Sequence, residues 1–384
     1  MKKILFFFFA FLLASCSGHY ARLSREEIVK EFPLHAELQE YQLHTVDIPG
    51  VVDVIHLGDR VYCMTMKPDG LISVLDEDKL EPCCAPFLFL GNGPLEVLSP
   101  IPFRQMYLHT DNGDQLADFF NMGNRLVRLN LTRSETSGGS VGESLGPIPS
   151  ELADRGPIAI LGNQFYFFQN PVDQKCVRRG VWRDGEITYA PAQETLNSFS
   201  LQEADGFMFN IFFSAFSYNP ALRRFVEAST MQNTIHVYDL DGSFSKTISI
   251  NGPVQDYQLI EKQGMEGLVQ TAESVRPFPD YFVVLYRERP LSSQTDPSPR
   301  LLFFDWDGNP LMDISMTCQA TAFDIDLQRN RLYLSNQDSE TVSVVDISEY
   351  LSKVKDHYHA LSLYGEGHVL LVGDPTRGNA LMTM

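Results

Sequence analysis

Apolar and polar residues alternate with a period of two along most of the chain from residue 41 onward. This alternation is typical of strands whose successive side chains point to opposite faces of a sheet. The strands are short and rich in aromatic and β-branched residues, and the turns between them often contain Asp-Gly. Asp-Gly suits a tight hairpin because glycine accepts a positive φ where the chain reverses. The pattern therefore predicts an all-β chain built from many short antiparallel strands.

The same unit of strands and turns returns six times. Taking residues 58, 113, 162, 225, 281 and 329 as equivalent, the steps between copies are 55, 49, 63, 56 and 48 residues. The fourth and fifth copies are the most alike, since 237–242 aligns with 303–308. A repeat of this length with about four strands is typical of a propeller blade. We predict a six-bladed β-propeller over residues 41–384, with a β-sandwich or two separate β-domains as competing architectures.

A propeller must close its ring by completing the last blade with a strand from one end of the chain. Leu43–Ile48 and His368–Val372 both have the composition of a strand. The sequence does not choose between them.

The first fifteen residues resemble the signal peptide of a bacterial lipoprotein. Lys2 and Lys3 precede the apolar run Ile4–Leu13, which is too short to span a bilayer. The run ends in Leu-Ala-Ser followed by Cys16, which resembles a lipobox. In such a motif the cysteine thiol carries lipid after cleavage in front of it, and several acyl chains anchor a protein stably. We therefore expect a mature chain that begins at Cys16 and is held to a membrane by lipid.

Residues 16–40 are predicted to be a tether that contains a short helix. Ser24 followed by Glu27 fits a capping box, and Ile28, Val29 and Phe32 supply a small apolar stripe.

The chain is acidic, with a formal net charge of −19 that becomes −21 once Lys2 and Lys3 are removed. An acidic balance disfavours nucleic acid as a partner, because the phosphate backbone is itself negative. No later stretch holds eighteen uncharged apolar residues, so the sequence predicts no transmembrane helix.

Five cysteines remain once Cys16 carries lipid, so at least one thiol is free or pairs outside the chain. We interpret them as small buried side chains with one bridge at most, from Cys63 to Cys83 or Cys84. A less favoured interpretation is that the adjacent residues Cys83 and Cys84 form a redox-sensitive or metal-binding site. The two others are Cys176 and Cys318.

A short motif carries a family resemblance. The segment Phe89–Val97 contains Gly91, Gly93, Pro94 and Glu96 in the spacing Gly-x-Gly-Pro-x-Glu. This resembles the Gly-x-Gly-Pro-x-Glu-Phe motif of NHL-type six-bladed propellers, with valine at the last position in place of phenylalanine. Together with the lipobox and the blade spacing, the chain is similar to the TolB-like propeller lipoproteins of Bacteroidetes. The resemblance implies a propeller in the cell envelope, and fold alone does not settle function.

Candidate site residues are few. His357 and His359 would share one face of a strand and could bind a metal with a third ligand, although a solvated pair is the favoured interpretation. Arg287, Glu288 and Arg289 follow an apolar strand and would lie at a blade rim, as a site for an anionic or carbohydrate ligand or as an ion-paired strand end. The polar insertion 292–300 extends the same rim and is the candidate recognition loop.

The sequence contains none of the common hydrolase or phosphate-binding motifs that mark catalytic sites. We therefore expect a membrane-anchored binding or scaffold module for an envelope protein, peptide or glycan, with no cofactor beyond the lipid. The alternative is an enzyme, a glycan lyase or hydrolase, with a site in the central channel. Because no acidic run follows Ser17 and Gly18, we expect attachment to the outer membrane facing the periplasm.

Overall fold

The structure is a computed structural model. It describes residues 26–364 apart from 122–124, 153–157, 162–163, 170–177, 190–213, 242, 254–268, 291–292 and 294–296. The signal peptide and Cys16 lie outside the described residues, as do Cys176, residues 292 and 294–296 of the insertion 292–300, and the segment 368–372.

Six small sheets form the blades of a six-bladed β-propeller, which confirms the predicted fold. Each sheet is mainly antiparallel and has three to five strands, with neighbours in the sheet mostly neighbours in sequence. The first strand of each repeat borders the central channel. In blade 1 the segment 82–87 takes the place of a fourth strand and pairs with the third strand through isolated bridges.

The strands of the first three blades have the following bounds. Blade 1 contains β4 (Val51–Leu57), β5 (Arg60–Thr65) and β6 (Ile72–Asp76). Blade 2 contains β7 (Tyr107–Asp111), β8 (Asp114–Asn121), β9 (Arg125–Asn130) and β10 (Gly142–Pro147). Blade 3 contains β11 (Ile158–Leu161), β12 (Gln164–Gln169), β13 (Arg178–Arg183) and β14 (Glu186–Tyr189).

The last three blades also take up the N-terminal strands. Blade 4 contains β15 (Ser214–Asn219), β16 (Arg224–Ser229), β17 (Thr234–Asp239), β18 (Ser245–Ile250) and β1 (Glu26–Val29). Blade 5 contains β19 (Val269–Pro277), β20 (Tyr281–Pro290), β21 (Arg300–Asp305), β22 (Pro310–Met316) and β2 (Leu34–Leu38). Blade 6 contains β23 (Ala322–Asp326), β24 (Arg331–Asn336), β25 (Thr341–Asp346) and β3 (His44–Asp47).

Hydrophobic packing between neighbouring blades holds the ring together. The buried apolar residues form six clusters, and each cluster joins one pair of adjacent blades. Strand β20 shows the cause: Phe282 and Val284 pack toward blade 4, whereas Val283 and Leu285 pack toward blade 6. A strand that is apolar on both faces needs a sheet on each side, and a ring supplies both.

The N-terminal segment wraps the outer edges of three blades. Strand β1 adds in parallel to β18 of blade 4, β2 adds in parallel to β22 of blade 5, and β3 pairs antiparallel with β25 of blade 6. Strand β3 therefore completes the last blade, which selects the first of the two predicted closures, Leu43–Ile48.

The helix predicted within the tether 16–40 is wrong. The residues from 26 to 38 form the strands β1 and β2, because the outer edges of blades 4 and 5 offer backbone partners that extend each sheet. A five-residue strand such as β2 also buries Leu38 in the cluster between blades 5 and 6, which a solvated tether could not do.

In the described part of the chain, two α-helices and three 3₁₀ turns lie outside the sheets. Helix α1 spans Leu131–Ser137 in blade 2, with Asn130 as its N-cap accepting from the backbone of Arg133 at 2.8 Å. Helix α2 spans Ser348–Tyr364 and buries Leu351 and Val354 against blades 5 and 6. Three 3₁₀ turns lie at Glu40–Gln42, Phe103–Gln105 and Ser150–Leu152. Among the described residues, none of the helices has the length and apolar character needed to cross a bilayer.

The strand geometry expected for His357 and His359 is wrong, because both positions lie on α2. Residues two apart on a helix do not face one another, so the physical reason for treating them as a metal-binding pair disappears. The second strand of each blade, by contrast, begins within two residues of the predicted repeat positions. The Asp184-Gly185 hairpin also has the expected left-handed backbone, with φ of +50° and +89°.

Candidate functional site

A recurring ion pair links neighbouring blades on one face of the ring. Arg224, the first residue of β16 in blade 4, donates to Asp307 Oδ1 at 2.5 Å and to the carbonyl of Trp306 at 2.8 Å, both in blade 5. Arg331, the first residue of β24 in blade 6, donates in the same way to Asp78 Oδ1 at 2.6 Å in blade 1. We call this contact the inter-blade clasp.

Blade 1 makes a related clasp to blade 2. Arg60, the first residue of β5, lies 3.4 Å from Glu135 on helix α1. In all three cases the arginine begins the second strand of one blade, and its acidic partner follows the third strand of the next blade. The turn before the second strand of a blade and the turn after the third strand lie on the same face of the ring. The arginine can therefore reach its acidic partner across the junction.

The junction between blades 3 and 4 has a different residue at the clasp position. Gln164 is the first residue of β12, the position at which blades 1, 4 and 6 have arginine. The acidic position of the clasp is kept: Asp241 lies two residues after β17, just as Asp307 lies two residues after β21. A cleft of about 550 Å³ opens here, lined by both Gln164 and Asp241. Its size lies within the range of small-molecule sites, roughly 300–1,000 Å³.

The walls of this cleft are mainly polar. Arg183 of blade 3, Arg223 of blade 4 and the aromatic residue Tyr218 all line the cleft. Burial raises the pKa of Tyr218; Arg223 opposes that rise and Asp239 adds to it, so the hydroxyl remains protonated and can donate a hydrogen bond. Hydrogen bonds from Ser243 lower the pKa of Asp241, so that carboxylate remains charged.

Aromatic rings form the floor of the cleft. Phe225 stacks between Tyr218 and Tyr166, with both centroid distances at 4.4 Å. Beneath it, the fully buried Glu227 accepts a hydrogen bond from Tyr166 at 2.6 Å and another from Tyr238. Both of these hydrogen-bonded phenols also stack on Phe225.

The junction between blades 6 and 1 carries a cluster of metal-ligating side chains on the same face. His56 at the end of β4, Glu77 after β6 and Asp326 at the end of β23 place one ligand atom each within 4.8 Å of one another. The Nε2 atom of His56 lies 3.0 Å from Glu77 Oε2 and 3.7 Å from Asp326 Oδ2. These distances suit a proton or a cation between the three groups.

A buried arginine joins three blades beside the central channel. Arg276 of β19 donates to the carbonyl of Phe323 in blade 6, and to Asp53 Oδ1 and the carbonyl of Val54 in blade 1, each at 3.0 Å. Burial raises the pKa of the neighbouring Asp324, while Arg276 and the His56 backbone N–H oppose that rise. This network ties the innermost strands of blades 5, 6 and 1 together.

The predicted rim residues of blade 5 do not form one cluster. Arg287 is buried, lies 3.2 Å from Glu273 Oε1 and donates to the carbonyl of Ala320. Glu288 is exposed on the other side of the strand and accepts from Asn251 at 2.8 Å. Arg289 donates to Gln270. Each thus has its own structural contact, and a ligand role for the three stays a prediction.

The glycine motif builds a tight loop between blades 1 and 2. The carboxylate of Glu96 accepts from the backbone N–H of Gly93 at 2.6 Å, and Asn121 of blade 2 donates to the Glu96 carbonyl at 2.7 Å. A Cβ atom at Gly91 would lie 2.1 Å from Glu96 Oε2, so the first glycine leaves room for the carboxylate. In these contacts the motif shapes the loop and links it to blade 2.

The cysteines of the described residues, Cys63, Cys83, Cys84 and Cys318, are free thiols. Cys63 is buried inside β5 whereas Cys83 is exposed, so the bridge predicted from Cys63 to Cys83 or Cys84 is not formed. The strand hydrogen bonds of β5 hold the Cys63 side chain toward blade 6, where it packs with Val342.

Sequence reasoning missed the clasp and the cleft because each is assembled from different repeats. Gln164, Arg183, Arg223 and Asp241 come from two blades and are separated by up to 77 residues in the chain. One signal was available: Arg60, Gln164 and Arg331 each stand two residues after the repeat position of their copy, and Arg224 stands one residue before that of the fourth copy.

No family model matches the sequence, and no curated protein does. Among solved structures, a member of the DUF4221 family from Bacteroides vulgatus is similar, with 11% identity and a TM-score of 0.48 over 79% of this chain and 95% of that chain. A protein from Bacteroides fragilis described as exported is similar with 9% identity and a TM-score of 0.42, over 89% of this chain and 96% of that chain.

Proposed function

We propose that the protein is a non-catalytic binding module of the bacterial cell envelope, a lipid-anchored propeller that binds an anionic glycan between blades 3 and 4. The observation that carries the proposal is the substitution of the clasp. Where arginine bridges three other junctions, blade 3 has Gln164, and a polar cleft lies between it and Asp241. A junction without the inter-blade ion pair leaves a concave surface that a ligand can occupy.

The chemistry of the walls favours a sugar that bears a carboxylate. Arg183 and Arg223 can bind a carboxylate from two sides, since guanidinium groups match its geometry. Tyr218 offers a ring for a sugar face and a hydroxyl donor, and Asp241 accepts from sugar hydroxyl groups. Polar walls over an aromatic floor suit a saccharide better than an acyl chain.

The N-terminal arm supports an anchor on the side of the cleft. Strand β1 runs parallel to β18, with Glu26 opposite Thr247, so the arm reaches blade 4 near the turn that lines the cleft. Glu26 follows Cys16 by ten positions in the chain. An extended chain of that length spans at most about 35 Å, so a lipid on Cys16 would hold the cleft near the membrane surface.

We place the protein among lipoproteins that resemble TolB-like and NHL-type propellers, attached to the outer membrane and facing the periplasm. The support is the lipobox at Cys16 together with the six-bladed fold. Incorporation of an alkyne fatty acid tests the anchor: wild type should be labelled and Cys16→Ser should not. Removal of the propeller by protease on intact cells would overturn the periplasmic orientation.

The decisive variant for the cleft is Gln164→Arg. It supplies the missing arginine opposite Asp241, so it should form a clasp, fill the cleft and abolish ligand binding while the protein stays folded. Calorimetric titration of the full chain carrying Cys16→Ser with a hexuronic-acid disaccharide measures the affinity. Maltose and an acidic tetrapeptide serve as the neutral and the peptidic probes.

We expect the acidic disaccharide to bind more tightly than maltose, and Arg183→Ala to weaken it about tenfold. Lys353→Ala removes an exposed cation on α2, far in sequence from the cleft, and should leave the affinity unchanged. Binding that survives Gln164→Arg overturns the assignment to this cleft. Binding of the acidic tetrapeptide without either saccharide overturns the glycan and makes the protein a peptide-binding module. An enzyme with a site in the central channel stays the alternative prediction.

A further inference from the structure

The side chains between blades 6 and 1 place a nitrogen ligand opposite two carboxylates. His56 Nε2 faces Glu77 Oε2 at 3.0 Å and Asp326 Oδ2 at 3.7 Å, and each of the three side chains is at most 8% exposed. A bare nitrogen lone pair cannot lie stably against two anionic oxygens, because all three are electron donors. The space between them must therefore hold either a proton or a metal cation.

The geometry fits a metal. Ligand bonds of about 2.0 to 2.2 Å place neighbouring ligand atoms of a zinc-type site roughly 3 to 3.7 Å apart. The two distances from His56 fall in that range, and all three atoms lie within 4.8 Å of one another. One imidazole and two carboxylates form a donor set of the kind that catalytic zinc and manganese sites use, whereas calcium prefers six or more oxygen ligands.

The buried charges around the cluster are out of balance. Four carboxylates in this network, Asp53, Glu77, Asp324 and Asp326, are each at most 8% exposed. Within the described part of the chain, the guanidinium groups paired with them are those of Arg276 and Arg329. The four carboxylates thus outnumber the two guanidinium groups in a region of low dielectric constant. A divalent cation would compensate that excess.

The ligands are held in place by contacts that leave the metal-facing atoms available. Glu77 uses Oε1 to accept from Arg329 at 2.6 Å, and Oε2 faces His56. Asp326 uses Oδ1 to accept from the backbone of Gln328 at 2.8 Å, and Oδ2 faces the cluster. The His56 ring lies parallel to Tyr333 with centroids 5.2 Å apart. Second contacts of this kind orient the ligands of protein metal sites.

Arg329 is the group that competes with a cation, since it also lies 3.4 Å from Asp326 Oδ2. Its side chain is 38% exposed and belongs to a surface turn, so it can remain bound to Glu77 Oε1 while a metal occupies the other side.

We propose that blades 6 and 1 share a binding site for a divalent transition metal, of which zinc is the best match, with His56, Glu77 and Asp326 as its protein ligands. The site joins the two blades that close the ring. It is independent of the cleft between blades 3 and 4, so either proposal can fail without the other.

The test uses the untagged full chain carrying Cys16→Ser, stripped with chelator and titrated with Zn²⁺, Mn²⁺ and Ca²⁺. We expect one zinc per chain by elemental analysis after dialysis, a higher melting temperature with zinc, and weaker binding of calcium. His56→Gln should weaken zinc binding at least about tenfold, as should Glu77→Gln, which keeps a hydrogen-bond acceptor for Arg329.

His35→Gln is the matched control, because His35 also lies near a carboxylate, 3.6 Å from Asp313, but is exposed. It should bind zinc like the wild type. Circular dichroism confirms that each variant is folded. Wild-type protein that retains no zinc above the buffer blank, or a folded His56→Gln that binds zinc as tightly as the wild type, overturns the proposal and leaves a protonated His56 Nε2 donating to Glu77.

Discussion

Arg331 of blade 6 donates to Asp78 of blade 1 across the junction where the ring closes, at 2.6 Å. The same guanidinium nitrogen reaches the Glu77 carbonyl at 3.2 Å, so the contact is more than a single exposed ion pair. Asp78 is nonetheless well exposed, and solvent screens its charge. We expect Arg331→Gln, which places the blade 3 residue in blade 6, to lower the free energy of unfolding by about 1 kcal/mol.

Urea unfolding measures that change, and 1 M salt should reduce it because part of it is electrostatic. Lys353→Gln removes the exposed pair with Glu349 on α2 and should cost less than about 0.5 kcal/mol. Equal effects of the two substitutions would show that the clasp is an ordinary surface pair.

The N-terminal arm contributes to the stability of the ring through Leu38. This side chain is fully buried in the cluster between blades 5 and 6, whereas Ile28 on β1 is 43% exposed. Leu38→Ala should lower the free energy of unfolding by about 2–5 kcal/mol, since it removes buried methyl groups and leaves a cavity. Ile28→Ala should cost less than about 1 kcal/mol. A Leu38→Ala variant as stable as Ile28→Ala would mean that the arm is not packed in solution.

The sequence predicted the second and third strands of the blades best, for a physical reason. Those strands are buried on both faces and end at turns rich in glycine and aspartate. A short stretch of sequence is therefore enough to recognise each strand and its turn. The arm was missed because Glu26 pairs with Thr247, more than two hundred residues away, and the residues around it also fit a helix start. Helix α2 was missed because, among the side chains described over 348–358, those of Leu351 and Val354 alone are buried, which makes a weak helical pattern.

The candidate sites could not be predicted in the same way. The cleft and the cluster at His56 each consist of residues from two blades. A repeat pattern shows which residues occupy equivalent positions, but it does not show which side chains from neighbouring blades come into contact. The substitution of arginine by Gln164 is visible in the sequence, but its meaning depends on the contact from Arg224 to Asp307 that the fold reveals.

The glycine motif should tolerate little change at Gly93. An added Cβ would lie 2.8 Å from Glu96 Cδ, so Gly93→Ala must displace the carboxylate and break its hydrogen bond to the backbone. We expect a loss of about 1–3 kcal/mol, the value of a hydrogen bond to a charged group. Gly139 has open space around it, and Gly139→Ala should be neutral within about 0.5 kcal/mol. Thermal unfolding of the two variants side by side distinguishes them.

Cys84 should react slowly with alkylating reagents at neutral pH. Burial, followed by the nearby Glu135 carboxylate, raises the pKa of its thiol to about 11, and only the thiolate reacts. In a Cys83→Ser background, the alkylation rate should rise with pH and reach half its maximum near pH 11, not near the ordinary value of 9.0. Peptide mapping by mass spectrometry measures the rate at this site. Glu135→Gln should move the midpoint down, and a midpoint below 9 would contradict the burial of the thiol.

The buried Arg276 should be the most sensitive of these positions. It pairs with Asp53 at 3.0 Å, and both side chains are almost inaccessible to water. Arg276→Met leaves the Asp53 charge buried without its cationic partner, so we expect a loss of about 3–5 kcal/mol in the free energy of unfolding. Adding Asp53→Asn should recover part of that loss, because the charge disappears with its partner. Arg183→Met on the exposed surface is the control and should change stability by less than about 0.5 kcal/mol. Urea unfolding of the wild type, Arg276→Met, Asp53→Asn and the double variant gives the coupling between Arg276 and Asp53, and a coupling near zero would show that the arginine contributes through its carbonyl contacts alone.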